Sequence, residues 1–275
     1  MTHGPDRVSA GKATSPETPA KRTDVREDRL LGGRVRILQP LDGYRAAIDP
    51  VLLAAAVDPA EGAHVLDAGA GTGAALLCLS LRRPDVRITG LELDAWHAGL
   101  CQRSIEVNGL ESRCRVLCAD LGRPPPEILM GGPKGGYDAV MSNPPFADSG
   151  TPPAEGRRAR AHMEGADMPL KVWVARCLDL LRPKGRLTVI HRSDRLDALL
   201  TALSGQAGEV TIFPLWPRDG AAAERVVVAA RKGVRGGTRL LQGLTLHGMG
   251  NDFASGAESV LRDAGALDLE PRGRR

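Results

Sequence analysis

From residue 63 onward, short apolar runs alternate with stretches of helical length. That alternation constrains the fold more than any other feature of the 275 residues. Residues 64–67 predict a short buried strand, a glycine turn follows, and 74–81 predict a helix. Residues 86–92 predict the next strand, and Asp94 is placed to cap a helix that stops at Asn108-Gly109. Third and fourth strands are predicted over 113–118 and 137–142. A helix over 169–181 is ended by Pro183-Lys184-Gly185, and a fifth strand spans 186–190. Asp194 opens a further helix, and 209–213 and 225–230 read as two closing strands. Repeated βα units with short connections predict an α/β fold. Its sheet should be mostly parallel and doubly wound, with ligands at the carboxyl ends of the strands.

The flanks read differently. Residues 1–29 are rich in Thr, Ser, Pro and charges of both signs, which predicts a disordered N-terminal tail. Acids in that tail argue against an organelle transit peptide. Residues 32–38 alternate like a short strand, turns follow at Gln39-Pro40 and Asp42-Gly43, and Asp49-Pro50 is placed to cap a helix over 51–57. The expected organisation is the tail 1–29, a core domain 30–235 that includes an N-terminal lid segment 30–60, and a C-terminal extension 236–275. With 42% hydrophobic residues the chain has enough apolar content for a large core.

Five cysteines without a Cys-x-x-Cys pair read as reduced core thiols in a reducing, cytoplasmic setting, with no metal site. Cys114 and Cys118 fall on a predicted strand, too far apart to share a metal readily. No segment approaches the roughly 20 apolar residues of a membrane span. A net charge of +4 is compatible with a nucleic-acid partner.

The fourth predicted strand runs directly into Asn143-Pro144-Pro145-Phe146. Two prolines cannot donate hydrogen bonds and hold φ near −65°, so the strand stops and the chain stiffens. Such a turn offers the Asn143 amide oxygen and the Pro144 carbonyl as fixed acceptors beside an aromatic face. That suits a flat group bearing an NH2. Asp67-Ala68-Gly69-Ala70-Gly71-Thr72-Gly73 lies between the first core strand and its helix, where glycines admit a ligand close to the backbone. Gly69, Gly71 and Ala74 also satisfy the dinucleotide fingerprint, and Glu92, about 20 residues on, suits a ribose in either case. The loop by itself therefore leaves a nicotinamide dehydrogenase open. Asp67 before the turn suits an ammonium, Asp120 after the third strand suits an adenine amino group, and all of these features fall at neighbouring strand ends.

Taken together these residues resemble the class I S-adenosylmethionine-dependent methyltransferases. Within that class the chain resembles the bacterial family that methylates N6 of an adenine beside the anticodon of valine tRNA. The resemblance is carried by Gly33-Arg34-Val35, Gln39-Pro40, Gly43-Tyr44-Arg45, Asp49 and Leu52-Leu53, then by 65–73, Glu92, Asp120 and the Asn-Pro-Pro-Phe turn. It continues through Arg160-Ala161-His162, Leu181-Arg182-Pro183, Gly185, His191-Arg192 and Arg231-Lys232-Gly233, covering about residues 31–265. Phe146 is followed by Ala147-Asp148, where members of that family often carry a second aromatic or a histidine.

The resemblance implies a Rossmann-like sheet of seven strands whose last strand is antiparallel. It implies S-adenosyl-L-methionine as cofactor, a tRNA partner, a cytoplasmic location and a monomer. It assigns catalysis to Asn143, Pro144, Pro145 and Phe146. Cofactor contacts fall to Tyr44, Asp49, Asp67, Gly69, Gly71, Gly73, Glu92, Leu93, Asp120, Leu121 and Asn143. Arg157, Arg158 and Arg160, just after the turn, are candidate RNA contacts. Three other readings stay open: guanine-N2 methylation of rRNA, N5-methylation of a protein glutamine, whose carboxamide presents the same two protons, and a non-catalytic RNA- or cofactor-binding module.

Overall fold

The computed structural model describes residues 24–41, 48–131, 135–145, 168–250 and 252–270. Tyr44, Arg45, Phe146, Arg157, Arg158, Arg160 and His162 lie outside the described residues. The chain opens with β1 (Val25–Leu30) and β2 (Val35–Pro40), joined by a short 3-10 turn over Leu31–Gly33. The two strands pair antiparallel over six residues, from Val25 with Pro40 to Leu30 with Val35. This corrects the expected tail at its inner end, since residues 25–29 form a strand. The sequence Val-Arg-Glu-Asp-Arg-Leu hides it, because an edge strand needs no apolar run when its backbone pairs with a partner and its charges pair across. Arg36 does so with Glu27 at 2.7 Å.

Helix α1 (Asp49–Ala56) follows. Asp49 lies in its first turn without capping it, and its carboxylate instead accepts from Arg225 Nε at 2.9 Å. The βα units come next: β3 (His64–Ala68), α2 (Ala74–Arg82), β4 (Arg87–Glu92), α3 (Ala95–Val107), β5 (Cys114–Cys118), the single-turn α4 (Pro126–Leu129) and β6 (Tyr137–Ser142). Asp94 caps α3 as expected, accepting from the Trp96 and His97 N–H groups, both at 2.9 Å. Helix α5 (Leu170–Leu180) runs straight into β7 (Leu181–Arg192), then come α6 (Leu196–Leu203), β8 (Ala207–Trp216) and β9 (Arg225–Lys232). The last elements are β10 (Arg239–Leu240), β11 (Leu244–Thr245) and α7 (Ser255–Asp263).

Among the described residues the main sheet has nine strands in the order β10-β8-β9-β7-β6-β3-β4-β5, with β11 also on β8. β3 to β7 are mutually parallel, and β9 is antiparallel to both β7 and β8. The seven-strand core matches the expectation. β10 and β11 extend its edge from the C-terminal segment. There the sequence from about residue 240 suggests a small strand and a helix, and the structure has two two-residue strands and α7.

Successive residues point to opposite faces of a strand, and each face has its own core. Val65, Met141, Ile190 and Val227 pack with α1, α2, α3 and α7 on one side. Leu66, Val140, Val189 and Val228 pack with α4, α5 and α6 on the other. The C-terminal extension is part of the first core, since Ala257, Val260, Leu267 and Leu269 join the cluster of Val51, Leu52 and Leu53. Its backbone is tied in too, by the Leu267 N–H donating to Ala55 O at 2.8 Å. Of the five cysteines, Cys118 alone is exposed; the other four are buried, and all are free.

Candidate active site

Four strand ends meet at one edge of the sheet. The register sets Ala68 beside Leu91 on one flank and beside Ser142 on the other, and sets Glu92 beside Cys118. The chain thus leaves β3, β4, β5 and β6 at nearly one level, and Asp67, the glycine turn, Glu92, Asp120 and Asn143 fall at the same edge of the sheet, where open α/β sheets form their ligand crevice. The sequence-predicted constellation is brought together by this register.

The glycine turn is fastened to β4 by Gly69 and Ala70 N–H groups, which share Leu91 O at 2.9 and 3.0 Å. Gly69, Gly71 and Gly73 all have positive φ, at 78°, 56° and 93°. Gly73 is doubly required, because a Cβ there would lie 2.6 Å from the Cys101 sulfur beneath it. Gly73→Ala should therefore destabilise the fold by roughly 2–4 kcal/mol, from backbone strain plus overpacking. Chemical denaturation measures it, and Cys101→Ala should restore only the packing share.

Glu92 reaches back across the turn. Its Oε2 accepts from the Gly71 N–H at 2.7 Å and its Oε1 from the Asp94 N–H at 2.9 Å. A carboxylate has about four lone-pair sites, so Glu92 keeps acceptor capacity toward the crevice. Asp67 is 2% exposed, and its Oδ2 has no hydrogen-bond partner among the described residues. Burial pushes its carboxyl up to about 7; the Leu76 N–H opposes this, and the Glu92 charge adds to it. An ionised carboxylate there wants a cation.

Asn143 presents a second unsatisfied acceptor, since its Oδ1 is buried and unpartnered among the described residues. Pro144 is buried beside it and Pro145 is exposed. Buried polar groups are paired in the large majority of cases, so two orphans at one sheet edge mark a place for a ligand's donors. Asp120 is exposed, and its Oδ1 closes a turn by accepting from the Gly122 N–H at 2.7 Å. Leu93 is 41% exposed, whereas the Leu121 side chain is buried in the second core. At the flank, burial pushes His191 down to about 4 with help from Arg195, and its Nδ1 accepts the Arg192 N–H.

Sequence reasoning missed Ser142 and Trp173. The Trp173 Nε1–H donates to Ser142 Oγ at 2.9 Å, and that hydroxyl donates to Ala68 O at 2.7 Å. The available signals were a serine directly before Asn-Pro-Pro and one of three tryptophans in an aromatic-poor chain. Three basic residues of the closing strands, Arg231, Lys232 and Arg239, have partners within the protein. Lys232 Nζ donates to Asp179 O and Leu181 O at the end of α5, Arg231 pairs with Glu209, and Arg239 donates to Thr211. Among the described residues no group of His, Cys, Asp and Glu could hold a metal ion, and no helix is long and apolar enough to cross a membrane.

This architecture has close counterparts. A crystal structure of a predicted O-methyltransferase from Agrobacterium tumefaciens superposes with a TM-score of 0.65 over 80% of this chain and 98% of that one, at 24% identity. That likeness bears on the fold alone. A tRNA1(Val) (adenine(37)-N6)-methyltransferase from Porphyromonas gingivalis is 34% identical over 159 residues, 56% of this chain and 61% of that protein. A release factor glutamine methyltransferase from Chlorobaculum tepidum is 32% identical over 95 residues, 34% of this chain and 31% of that protein. The chain thus spans about three fifths of the first of these relatives and about a third of the second. The methyltransferase small domain matches residues 47–210, a stretch that contains the glycine turn, Asp67, Glu92, Asp120 and the Asn-Pro-Pro turn. The chain belongs to the methyltransferase small domain family.

Proposed function

We propose that this protein transfers the methyl group of S-adenosylmethionine to N6 of an adenine in tRNA. The observation that carries the reading is the Asn143 Oδ1 at the end of β6, one strand from the glycine turn, buried and without a partner among the described residues. The cofactor fits the residues present. Asp67 Oδ2 is an orphaned buried acceptor suited to its ammonium, Glu92 retains acceptor capacity for ribose hydroxyls, and Leu93 offers an exposed apolar face for a base. When bound, S-adenosylmethionine supplies an electrophilic methyl on a sulfonium.

The protein's own part is orientation and electrostatics. An exocyclic adenine amine is a poor nucleophile, because its lone pair is delocalised into the ring. Asn143 Oδ1 and the Pro144 carbonyl accept hydrogen bonds from its two N–H groups, favour a tetrahedral nitrogen and turn the lone pair outward. One of those protons leaves to solvent as an N–CH3 bond replaces the S–CH3 bond. Acceptors held in place need no reorganisation in the transition state, where their benefit is largest. Phe146 supplies a stacking face, a contact worth about 1–3 kcal/mol per base. The adenine is swung out of its stack to enter, at a cost of a few kcal/mol. Arg157, Arg158 and Arg160 follow the turn and suit RNA phosphates.

Adenine in tRNA is favoured by the similarity to the P. gingivalis enzyme and by the N-terminal Gly-Tyr-Arg block. The similarity to the release-factor enzyme gives a second reading, in which the acceptor is a protein glutamine. Modified nucleosides in bulk tRNA and rRNA, from cells with and without the gene, separate them. Loss of N6-methyladenosine from tRNA is expected. Loss of N2-methylguanosine alone, or of release-factor methylation with unchanged nucleosides, overturns the adenine assignment. Thermal shift should show stabilisation by S-adenosylmethionine; stabilisation by NAD alone would overturn the cofactor.

A further inference from the structure

The glycine turn and the Asn-Pro-Pro turn are separate loops on separate strands, yet the proposed reaction needs them at a fixed spacing. Their roots are joined by one buried chain of contacts. Ser142, the last residue of β6, is fully buried and lies beside Ala68, the last residue of β3. Its hydroxyl donates to Ala68 O at 2.7 Å and accepts the Trp173 indole N–H at 2.9 Å. The next residue on one strand is Gly69, and on the other Asn143. Trp173 also touches the first of these directly, since a Cβ on Gly69 would meet its ring at 3.0 Å. One indole on α5 therefore braces the cofactor turn through its ring and the acceptor turn through its N–H.

We propose that Trp173 and Ser142 are positioning residues that set Asn143 at its working distance from the glycine turn. This rests on the methyl-transfer reading and deepens it.

The need for such a brace follows from the orphan state of Asn143 Oδ1. A side-chain amide free to rotate would satisfy itself with water or a neighbouring N–H, and its rigid surroundings must prevent that. The hydrogen-bond supply also balances. Ser142 has one donor and uses it on Ala68 O, and Trp173 has one donor and uses it on Ser142 Oγ. Both groups are buried, so neither bond competes with solvent. Phe in its place would lack both the N–H and the outer indole ring that faces Gly69, so Trp173→Phe removes both arms of the brace.

The test uses full-length protein and methyl transfer from labelled S-adenosylmethionine to bulk tRNA. Trp173→Phe and Ser142→Ala should each keep cofactor Kd and acceptor KM within about threefold of wild type and lower kcat by about 10–100-fold, as expected for a misplacement on the order of 1 Å. The double variant should be no worse than the poorer single one, because both break the same chain. Ser142→Thr, which keeps a hydroxyl, should recover part of kcat. Loss of thermal stability with kcat unchanged per folded molecule would mean a purely structural pair and overturn the proposal. So would additive losses in the double variant. A wild-type protein that fails to bind S-adenosylmethionine would instead sink the methyl-transfer reading itself.

Discussion

Asn143→Ala is expected to bind S-adenosylmethionine within about threefold of wild type and to lose about 100–1,000-fold in methyl transfer. Its stability should move the other way. Asn143 Oδ1 is buried with no partner among the described residues, so the native state already bears its desolvation, typically about 1–3 kcal/mol for a lone polar group. Alanine removes the orphan, and the variant should melt at the wild-type temperature or slightly above it. A residue that costs stability and is needed for turnover is the signature of a site arranged for a ligand. Single-turnover transfer, isothermal titration with the cofactor and thermal melts measure the three quantities. Retained turnover would sink the acceptor role, and a strongly destabilised variant would make Asn143 a structural residue.

Asp67 gives the second large effect, and it is visible in pH. Its carboxyl has an ordinary value of 3.8 and is pushed up to about 7 in the fold, chiefly by burial. Between those values the native state holds a proton that the unfolded chain has released. The Asp67 contribution to stability is therefore greatest below about pH 4 and falls as pH rises toward 7, above which the whole penalty is present. Three pKa units correspond to about 4 kcal/mol at most. Asp67→Asn should abolish that slope and stabilise the ligand-free protein at pH 8 by roughly 2–4 kcal/mol.

Cofactor binding reverses the sign. An ammonium beside Asp67 favours the carboxylate, so wild-type affinity should rise by up to about tenfold per pH unit below 7 and level off above it. The charged and titratable groups nearest Asp67 are Glu92 and the buried Cys101, whose thiol is itself held well above its usual range. In Asp67→Asn the affinity should be weaker and flat. Titrations between pH 5.5 and 8 decide it, and a flat wild-type profile would remove Asp67 from the ammonium site.

Much of this was legible in the chain. The βα alternation gave the order of the core strands and helices, because an apolar run bounded by Gly, Pro or Asp has few other ways to fold. It did not give every boundary: the strand expected over 186–190 runs Leu181–Arg192, through Pro183-Lys184-Gly185, and the one expected over 209–213 runs Ala207–Trp216. Asp94 capped its helix as its position implied. Asp49 did not, and the reason is long-range: Arg225, 176 residues away, takes its carboxylate. The strand at residues 25–29 was invisible for a related reason. Its stability lies in backbone pairing and charge complementarity with β2, neither of which leaves a periodic apolar trace.

The crevice acids and the Asn-Pro-Pro turn could be read because each sits at a strand end, and a parallel sheet collects strand ends on one edge. Local chemistry at each position was thus fixed by residue type and by its distance from the nearest turn. What the chain could not disclose is which of those groups lack partners and what holds them apart. Among the described residues, Asp67 Oδ2 and Asn143 Oδ1 are buried without a partner, a state set by the strands and helices packed around them. The Trp173–Ser142–Ala68 chain joins residues 74 and 31 positions apart along the sequence. Sequence determined the sheet, its edge and the residues on it. Tertiary packing alone decided their burial and spacing, because desolvation and hydrogen-bond supply depend on every element that closes over a site.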